Sequence, residues 1–165
     1  MLDYALTEGA EHVLKTTRAG MGDEIELTIT SHPRWMKLVR QIVQTFADEA
    51  GFDAKHAHAI TLAVGEAIGN VIKHAYKNSP DRTFSLACTS NGSGLEVRIE
   101  DQGAPFDPLK RESLPPDEIR PGGRGIYLMR TIMDELEYER RGDTNVVRMR
   151  KFRDGADHGK SRSDC

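Results

Sequence analysis

The alternation of apolar and polar residues over positions 84–99 constrains the fold more than any other feature of this chain. Two alternating runs flank residues 91–94, whose Asn-Gly-Ser-Gly sequence is a strong turn signal. The apolar positions of the two runs are Phe84, Leu86, Cys88, Leu95, Val97 and Ile99. This pattern predicts a β-hairpin with one apolar face, which must pack against another layer of structure.

Further strands and three helices are predicted on either side of the hairpin. The predicted strands cover residues 24–29, 136–141 and 146–152, and the predicted helices begin near Pro33, Asp53 and Ile126. Together these elements predict an α/β fold, a two-layer sandwich with a mixed, mostly antiparallel sheet under about three helices. Residues 1–22 are expected to form an N-terminal extension, a frayed helix followed by a linker. Residues 23–152 are expected to form the domain, and residues 153–165 a disordered tail.

Composition excludes several classes of function. The chain has 165 residues, of which 30% are charged, and its formal net charge is -3. This balance gives neither the basic surface expected for direct nucleic-acid binding nor a polybasic patch for a membrane. No apolar run approaches the length of a transmembrane helix and no signal-peptide pattern is present, so we expect a cytoplasmic protein. The two cysteines, Cys88 and Cys165, fit neither a zinc site nor a disulfide framework.

The second predicted helix carries three polar residues at a spacing of four. Glu66, Asn70 and His74 therefore share one face, beside a stripe of apolar residues. Carboxylate, carboxamide and imidazole groups are costly to place beside a core without partners, so this face is a candidate for holding a polar ligand. A solvated flank of an amphipathic helix explains the stretch equally well when it is considered alone.

Two glycine-containing motifs follow. Asp101 ends the second strand of the hairpin and can accept a hydrogen bond from an amino group, while Gly103 lets a flat ligand approach the backbone. Residues 122–125, Gly-Gly-Arg-Gly, open the third helix, where backbone N–H groups can bind an anion. Considered separately, the first motif is more typical of a turn, and the second is equally typical of a flexible loop or tight packing. Residues 104–121 between them are rich in proline and charge, and they predict a lid rather than a solvated insertion.

The order of these motifs predicts a nucleotide site with an amino-group acceptor, a phosphate cradle and a carboxamide that can ligate a hard cation. The sequence resembles the ATP-binding domains shared by DNA gyrase, MutL and sensor histidine kinases, the Bergerat fold. The matching residues are Glu66, Asn70 and His74 for the N box, 101–103 and 122–125 for the two glycine boxes, and 142–146, including Thr144, for a degenerate final box. Over about residues 23–152, the chain is most similar to anti-sigma factor serine kinases of the RsbW and SpoIIAB type.

The resemblance implies a role for each matching residue. It implies that Asp101 binds the adenine amino group with Gly103 beside the base, that Asn70 coordinates Mg²⁺, and that Glu66 is the general base for a substrate hydroxyl. The further residues that it places around the nucleotide are Lys73, His74, Gly122, Gly123, Arg124, Gly125, Ile126 and Thr144. Arg124 is a candidate positive charge near the γ-phosphate. For Lys73, His74 and Arg124 a solvent-facing position is the open alternative.

The resemblance implies an ATP- and Mg²⁺-dependent protein serine/threonine kinase that acts by partner switching. Such kinases bind a sigma factor and phosphorylate a STAS-domain anti-anti-sigma antagonist, and a homodimer is expected. One rival is a non-catalytic ATP-binding module that sequesters a regulatory partner, which has no use for a base such as Glu66. Two others are a sensor histidine kinase, which needs a dimerising helical hairpin, and a gyrase- or MutL-type ATPase, which needs a transducer domain. Neither is expected in a chain of this length.

Overall fold

In the computed structural model, which describes residues 13–19, 22–110 and 124–153, one sheet carries a layer of helices. The strands are β1 (Val13–Ala19), β2 (Gly22–Thr30), β3 (Thr83–Asn91), β4 (Gly94–Asp101), β5 (Glu135–Arg141) and β6 (Thr144–Phe152). The helices are α1 (Met36–Glu49), α2 (Ala54–Asn70) and α3 (Arg124–Ile132). The strand order is β1-β2-β3-β4-β6-β5, and every pairing is antiparallel. The predicted sandwich is confirmed, and the described strands contain none of the parallel pairing that a mixed sheet implies.

The first strand corrects the prediction for the N-terminal region. Val13–Ala19 pair with β2 along their whole length, with Val13 opposite Thr28 and Ala19 opposite Gly22. The frayed helix predicted within residues 1–22 is therefore wrong for this stretch. An edge strand pairs with a single neighbour, and this one lacks the alternation of apolar residues by which strands are recognised in a sequence. Residues 1–12 and 154–165 lie outside the described residues.

The helices cover the sheet with their apolar sides. The predicted start of α2 is confirmed, because Oδ1 of Asp53 accepts a hydrogen bond from the His56 backbone N–H at 2.8 Å and caps the helix. Side chains from both layers that are less than 2% exposed include Val39, Val43, Ile60, Val64, Ile68, Leu86, Val97 and Ile99. Cys88 is completely buried in the same core, and its burial raises the pKa of the thiol to about 12. It is therefore a core residue, as its position in the alternating pattern predicts.

A π-helical turn, Val71–Ala75, follows α2 directly. The backbone N–H of Tyr76 bonds to the carbonyl oxygen of Val71 at 2.9 Å, which closes this wider turn. Turns of this kind interrupt a regular helix and are frequent at functional sites. The buried hydroxyl of Tyr76 accepts a hydrogen bond from the Gln102 backbone N–H at 3.2 Å, so the end of the helical segment is tied to the chain that leaves β4.

The register of β4 against β6 brings two distant polar residues together. The strand β6 begins at Thr144, two residues earlier than predicted. Asp101 therefore lies directly opposite Asn145. Both residues are buried, with exposed fractions of 5% and 2%, on the side of the sheet that faces the helices.

The other face of the sheet carries charged side chains in opposite-sign pairs. Arg150 lies 2.6 Å from carboxylate oxygens of both Glu96 and Glu135, its ladder neighbours on the two adjacent strands. Partly exposed pairs of this type contribute little stability individually. Within the described ranges, no helix is both long enough and apolar enough to cross a membrane.

Candidate functional site

A narrow cleft lies between α2, the end of β4 and the start of β6. Its cavity volume is about 10 Å³, roughly the space that one water molecule needs. Its lining residues are Ala67, Asn70, Val71, Ala75, Asp101, Phe106, Pro108, Met129, Asn145 and Val147. Asn70 and Asp101, which the sequence motifs single out separately, thus lie in the same cleft among apolar side chains. Apolar walls with a few convergent polar groups are typical of sites for small molecules.

One carboxylate oxygen of Asp101 is held by hydrogen bonds, and the other has no partner among the described residues. Its Oδ1 accepts hydrogen bonds from the Gly103 backbone N–H and from Nδ2 of Asn145, each at 2.8 Å. Burial raises the pKa of Asp101 above its usual value, while the bonds from Asn145 and Gly103 and the charge of Arg140 oppose this rise. Within the described residues Oδ2 makes no hydrogen bond, so it can accept one from an amino group in the cleft.

Asn145 is a functional candidate that the sequence reasoning missed. Its side chain contacts Asp101, whereas Thr144, the residue named in the final box, is one position earlier and projects from the opposite face of β6. A signal was available in the sequence, because Asn145 has the same parity as the core residues Val147 and Met149. Extending their alternation backwards places a polar side chain on the buried face.

The structure gives a packing reason for glycine at position 103, in addition to the one inferred from the sequence. A Cβ added at Gly103 would lie 2.6 Å from the carbonyl oxygen of Ala75 and 2.7 Å from its carbonyl carbon and Cβ. The neighbouring Ala104 N–H donates a hydrogen bond to that same oxygen at 2.9 Å. The space that a side chain would need at position 103 is therefore filled by the backbone of the π-helical turn. The absence of a side chain at Gly103 lets the turn pack against the end of β4, and the predicted position of Gly103 beside the base stays a prediction.

Glu66 and Gly125 bring the polar face of α2 against the start of α3. A Cβ at Gly125 would overlap Oε2 of Glu66, so the carboxylate is directly over the first turn of α3. Arg124 is exposed at the same end of the helix, while Ile126 is 3% exposed and packs in the core. Ile126 is not among the residues that line the cleft, and its predicted nucleotide contact stays a prediction. Residues 122–123 lie outside the described residues, and their predicted phosphate contacts stay predictions.

The remaining polar residues of the predicted N box differ in their surroundings. Asn70 lines the cleft, and its buried Nδ2 has no hydrogen-bond partner in the part of the chain that the structure describes. His74 is half-buried and stacks on Phe106 with ring centroids 4.3 Å apart, while Lys73 is exposed. Phe106 belongs to the described part of the predicted lid, whose residues 111–121 lie outside the described residues. The stack places the first part of that segment over the π-helical turn that follows α2.

The structure permits a test of the predicted Mg²⁺ ligand. The described residues contain no group of three or more His, Cys, Asp or Glu side chains that could hold a metal ion by themselves. The buried side-chain nitrogen of Asn70 has no hydrogen-bond partner among the described residues. The oxygen of the same carboxamide is a ligand type that suits hard cations. A single ligand of this kind fits a magnesium ion that is carried mainly by substrate phosphates, which is how proteins often bind it.

Comparison with known proteins agrees with the fold and with the family that the sequence resembles. A model of the histidine kinase-like ATPase domain matches residues 29–151. The serine-protein kinase RsbW of Listeria monocytogenes serotype 4a is 32% identical over 127 residues, which cover 72% of this chain and 81% of that protein. RsbW of Bacillus velezensis is 32% identical over 147 residues, which cover 83% and 91%.

A solved structure supports the fold. The structure of the RsbU and RsbW domains of a Mycobacterium tuberculosis protein superposes with a TM-score of 0.52 at 14% identity. The match covers 77% of this chain and 32% of that one. At this identity the likeness concerns the arrangement of helices and strands alone.

Proposed function

Because the chain belongs to the histidine kinase-like ATPase domain family, we propose that its cleft binds ATP with Mg²⁺ for phosphoryl transfer to a protein hydroxyl. Its relatives over most of its length are named serine-protein kinases, and it is a kinase of the same kind. Membership of this family was inferred from the residues alone, and the family match confirms it.

The proposal depends most on the convergence of three motifs in one place. Asp101 and Asn70 line one cleft, and Glu66 of the same helix face lies against Gly125 at the start of α3. A base acceptor, a cation ligand and a carboxylate beside a helix N-terminus are therefore arranged along one side of α2. Adenine at Asp101 would direct the phosphates along this helix towards α3, whose N-terminus favours anions.

Each protein group then has a defined task in the proposed reaction. Bound Mg²⁺ would neutralise charge on the phosphate oxygens, with Asn70 as its protein ligand. Glu66 would accept the proton of the substrate hydroxyl as that oxygen forms its bond to the γ-phosphorus. The bond from the γ-phosphorus to the bridging oxygen breaks in the same displacement, and ADP is the leaving group. Arg124, exposed beside Gly125, is available to place positive charge near the transferred group.

We further propose the partner-switching role for this kinase. The substrate would be a serine on a STAS-domain anti-anti-sigma protein, and the second partner a sigma factor, with the kinase acting as a homodimer. This role is supported by the similarity to RsbW proteins over 72% and 83% of the chain. The competing function is an ATP-binding module that sequesters a partner without catalysis, and it leaves the carboxylate of Glu66 without a task.

The two functions are separated by a transfer assay with a matched variant. The full chain is incubated with ATP, Mg²⁺ and a STAS-domain candidate from the same organism, and phosphoserine is located by mass spectrometry. We expect transfer by the natural chain and a loss of about 100-fold or more in Glu66→Gln, which keeps the shape of the side chain but loses the base. Nucleotide binding by Glu66→Gln should remain close to normal. Equal transfer by both proteins would refute the role of Glu66, and ATP binding without any transfer would favour the sequestering module.

A further inference from the structure

All hydrogen-bonding positions of the Asn145 side chain are occupied. Its Nδ2 donates to Oδ1 of Asp101 at 2.8 Å and to the Ala104 carbonyl oxygen at 3.1 Å. Its Oδ1 accepts from Nη1 of Arg140 at 2.7 Å and from the Tyr138 hydroxyl at 2.8 Å. A carboxamide has two donor hydrogens and an oxygen with two lone pairs, so this buried group is fully satisfied.

These partners fix which way the amide faces. A guanidinium can only donate, so the atom that faces Arg140 must be the amide oxygen. The amide nitrogen therefore faces Asp101, and the alternative orientation would place two acceptors against each other. Arg140 also donates to the Gly103 carbonyl oxygen at 3.4 Å, so one side chain of β5 supports both Asn145 and the chain that leaves β4.

The result is a carboxylate with two different oxygens. Oδ1 of Asp101 is held by the N–H groups of Asn145 and Gly103, whereas Oδ2 has no partner within the described part of the chain. The ionisable groups around this carboxyl are Arg140 and Tyr138 from β5 and Tyr76 from the turn after α2. Burial raises the pKa of Asp101, while the donors at Oδ1 and the positive charge of Arg140 oppose this rise and favour the ionised form, in which both oxygens are acceptors only.

We propose that Asn145 is a positioning residue for base selection, which reserves Oδ2 of Asp101 as a pure hydrogen-bond acceptor for the 6-amino group of adenine. The inference depends on the proposed function, since it takes the cleft to be the ATP site. A guanine nucleotide has an acceptor oxygen at the same position, so it would face Oδ2 without a hydrogen between the two atoms. A site built to pair with an amino group rejects an analogue that lacks it, because the buried acceptor is left unpaired.

The most informative substitution is Asn145→Asp in the full chain. The new side chain has the same shape but no donors, and it places a second carboxyl against Asp101. Either Asp101 turns away or one carboxyl of the pair takes up a proton, and a protonated Oδ2 can donate to the 6-oxo group of guanine. Asn145→Ala, which removes the donor without adding charge, is the second variant. Arg148→Gln, on the opposite face of β6, is the control.

The measurement is the ratio of dissociation constants for ATP and GTP, together with the midpoint of thermal unfolding without nucleotide. We expect the natural chain and Arg148→Gln to prefer ATP equally. Both Asn145 variants should reduce that preference by about 10-fold or more, the loss expected when a buried polar group loses its partner. An equal loss of affinity for both nucleotides, or an unchanged ratio, would overturn the proposal. If the natural chain binds neither nucleotide, the proposed function itself fails, so the two failures are distinguishable.

Discussion

The substitution Gly103→Ala separates two explanations for the glycine of the Asp-x-Gly motif. If the glycine is needed for close packing, the folded protein itself is destabilised. If it is needed for the approach of a flat ligand, the nucleotide-free protein is unaffected. The added Cβ would lie 2.6–2.7 Å from three atoms of Ala75, two of them in the backbone. Carbon atoms in contact are normally about 3.5–4.0 Å apart, so one of the two segments must move by roughly 1 Å.

The expected size of the effect follows from these contacts. Inserting a methyl group into a closely packed site costs about 1–3 kcal/mol. A movement of this size also weakens the hydrogen bond from the Ala104 N–H to the Ala75 carbonyl oxygen, which is 2.9 Å long and worth about 1 kcal/mol. We therefore expect Gly103→Ala to lower the free energy of unfolding by about 2–4 kcal/mol. For a domain of this size, that corresponds to a fall of about 5–15 °C in the unfolding midpoint.

The assay is thermal and urea unfolding of nucleotide-free protein, and α2 provides a matched control. A Cβ at Gly69 meets no atom within 4 Å, and the residue lies inside the helix. Gly69→Ala should therefore stabilise the protein by about 0.5–1 kcal/mol, because alanine favours helix more than glycine does. Opposite signs for the two substitutions are the predicted result. A midpoint for Gly103→Ala within about 1 °C of the natural chain, with lost nucleotide affinity alone, would refute the packing explanation.

Three further predictions concern the cleft and the charged face of the sheet. Asn70→Ala should weaken Mg²⁺-dependent ATP binding by about 10-fold or more in calorimetric titration, since it removes the metal ligand, and unchanged affinity would exclude that role. Native Asp101 keeps its proton to a higher pH than the unfolded chain does, because burial raises its pKa. The free energy of unfolding of the natural chain relative to Asp101→Asn should therefore fall as pH rises above about 4, and it should level off above the raised pKa. Urea unfolding between pH 4 and 7 measures this difference. A relative stability that rises with pH would contradict the predicted direction. Arg150→Met removes ion pairs with the partly exposed Glu96 and Glu135, so it should lower the free energy of unfolding by no more than about 1–2 kcal/mol, and by less in 1 M salt. A larger, salt-independent loss measured by urea unfolding would be inconsistent with an exposed network.

The parts of the fold that were predictable from the sequence are those with a local signature. The alternation around the turn at residues 91–94 predicts β3 and β4, because a half-buried strand needs apolar side chains at every second position. The cap at Asp53 predicts the start of α2, because a free carboxylate can bond to an N–H two or three residues ahead. The strand Val13–Ala19 was not predicted, since its residues do not alternate and its place depends on backbone pairing with β2.

The candidate site was predictable only as a set of motifs. Spacing alone places Glu66 and Asn70 on one helix face, but it gives no information on the distance from Asn70 to Asp101, which belongs to another element. The contact of Gly103 with Ala75 joins residues far apart in the chain and has no local signature. Asn145 was missed because a Gly-Asp-Thr-Asn sequence favours a turn, whereas the register of β6 places this asparagine opposite Asp101.

In the proposed nucleotide site, Asp101 binds the base, and Asn70 and Glu66 lie along the phosphates. The most direct test is the crystal structure of the full chain with Mg²⁺ and a non-hydrolysable ATP analogue. It should place the 6-amino nitrogen of adenine about 3 Å from Oδ2 of Asp101, with the amide oxygen of Asn70 bound to the metal ion. A base bound elsewhere on the protein, or an adenine whose amino group has no contact with Asp101, would contradict the account.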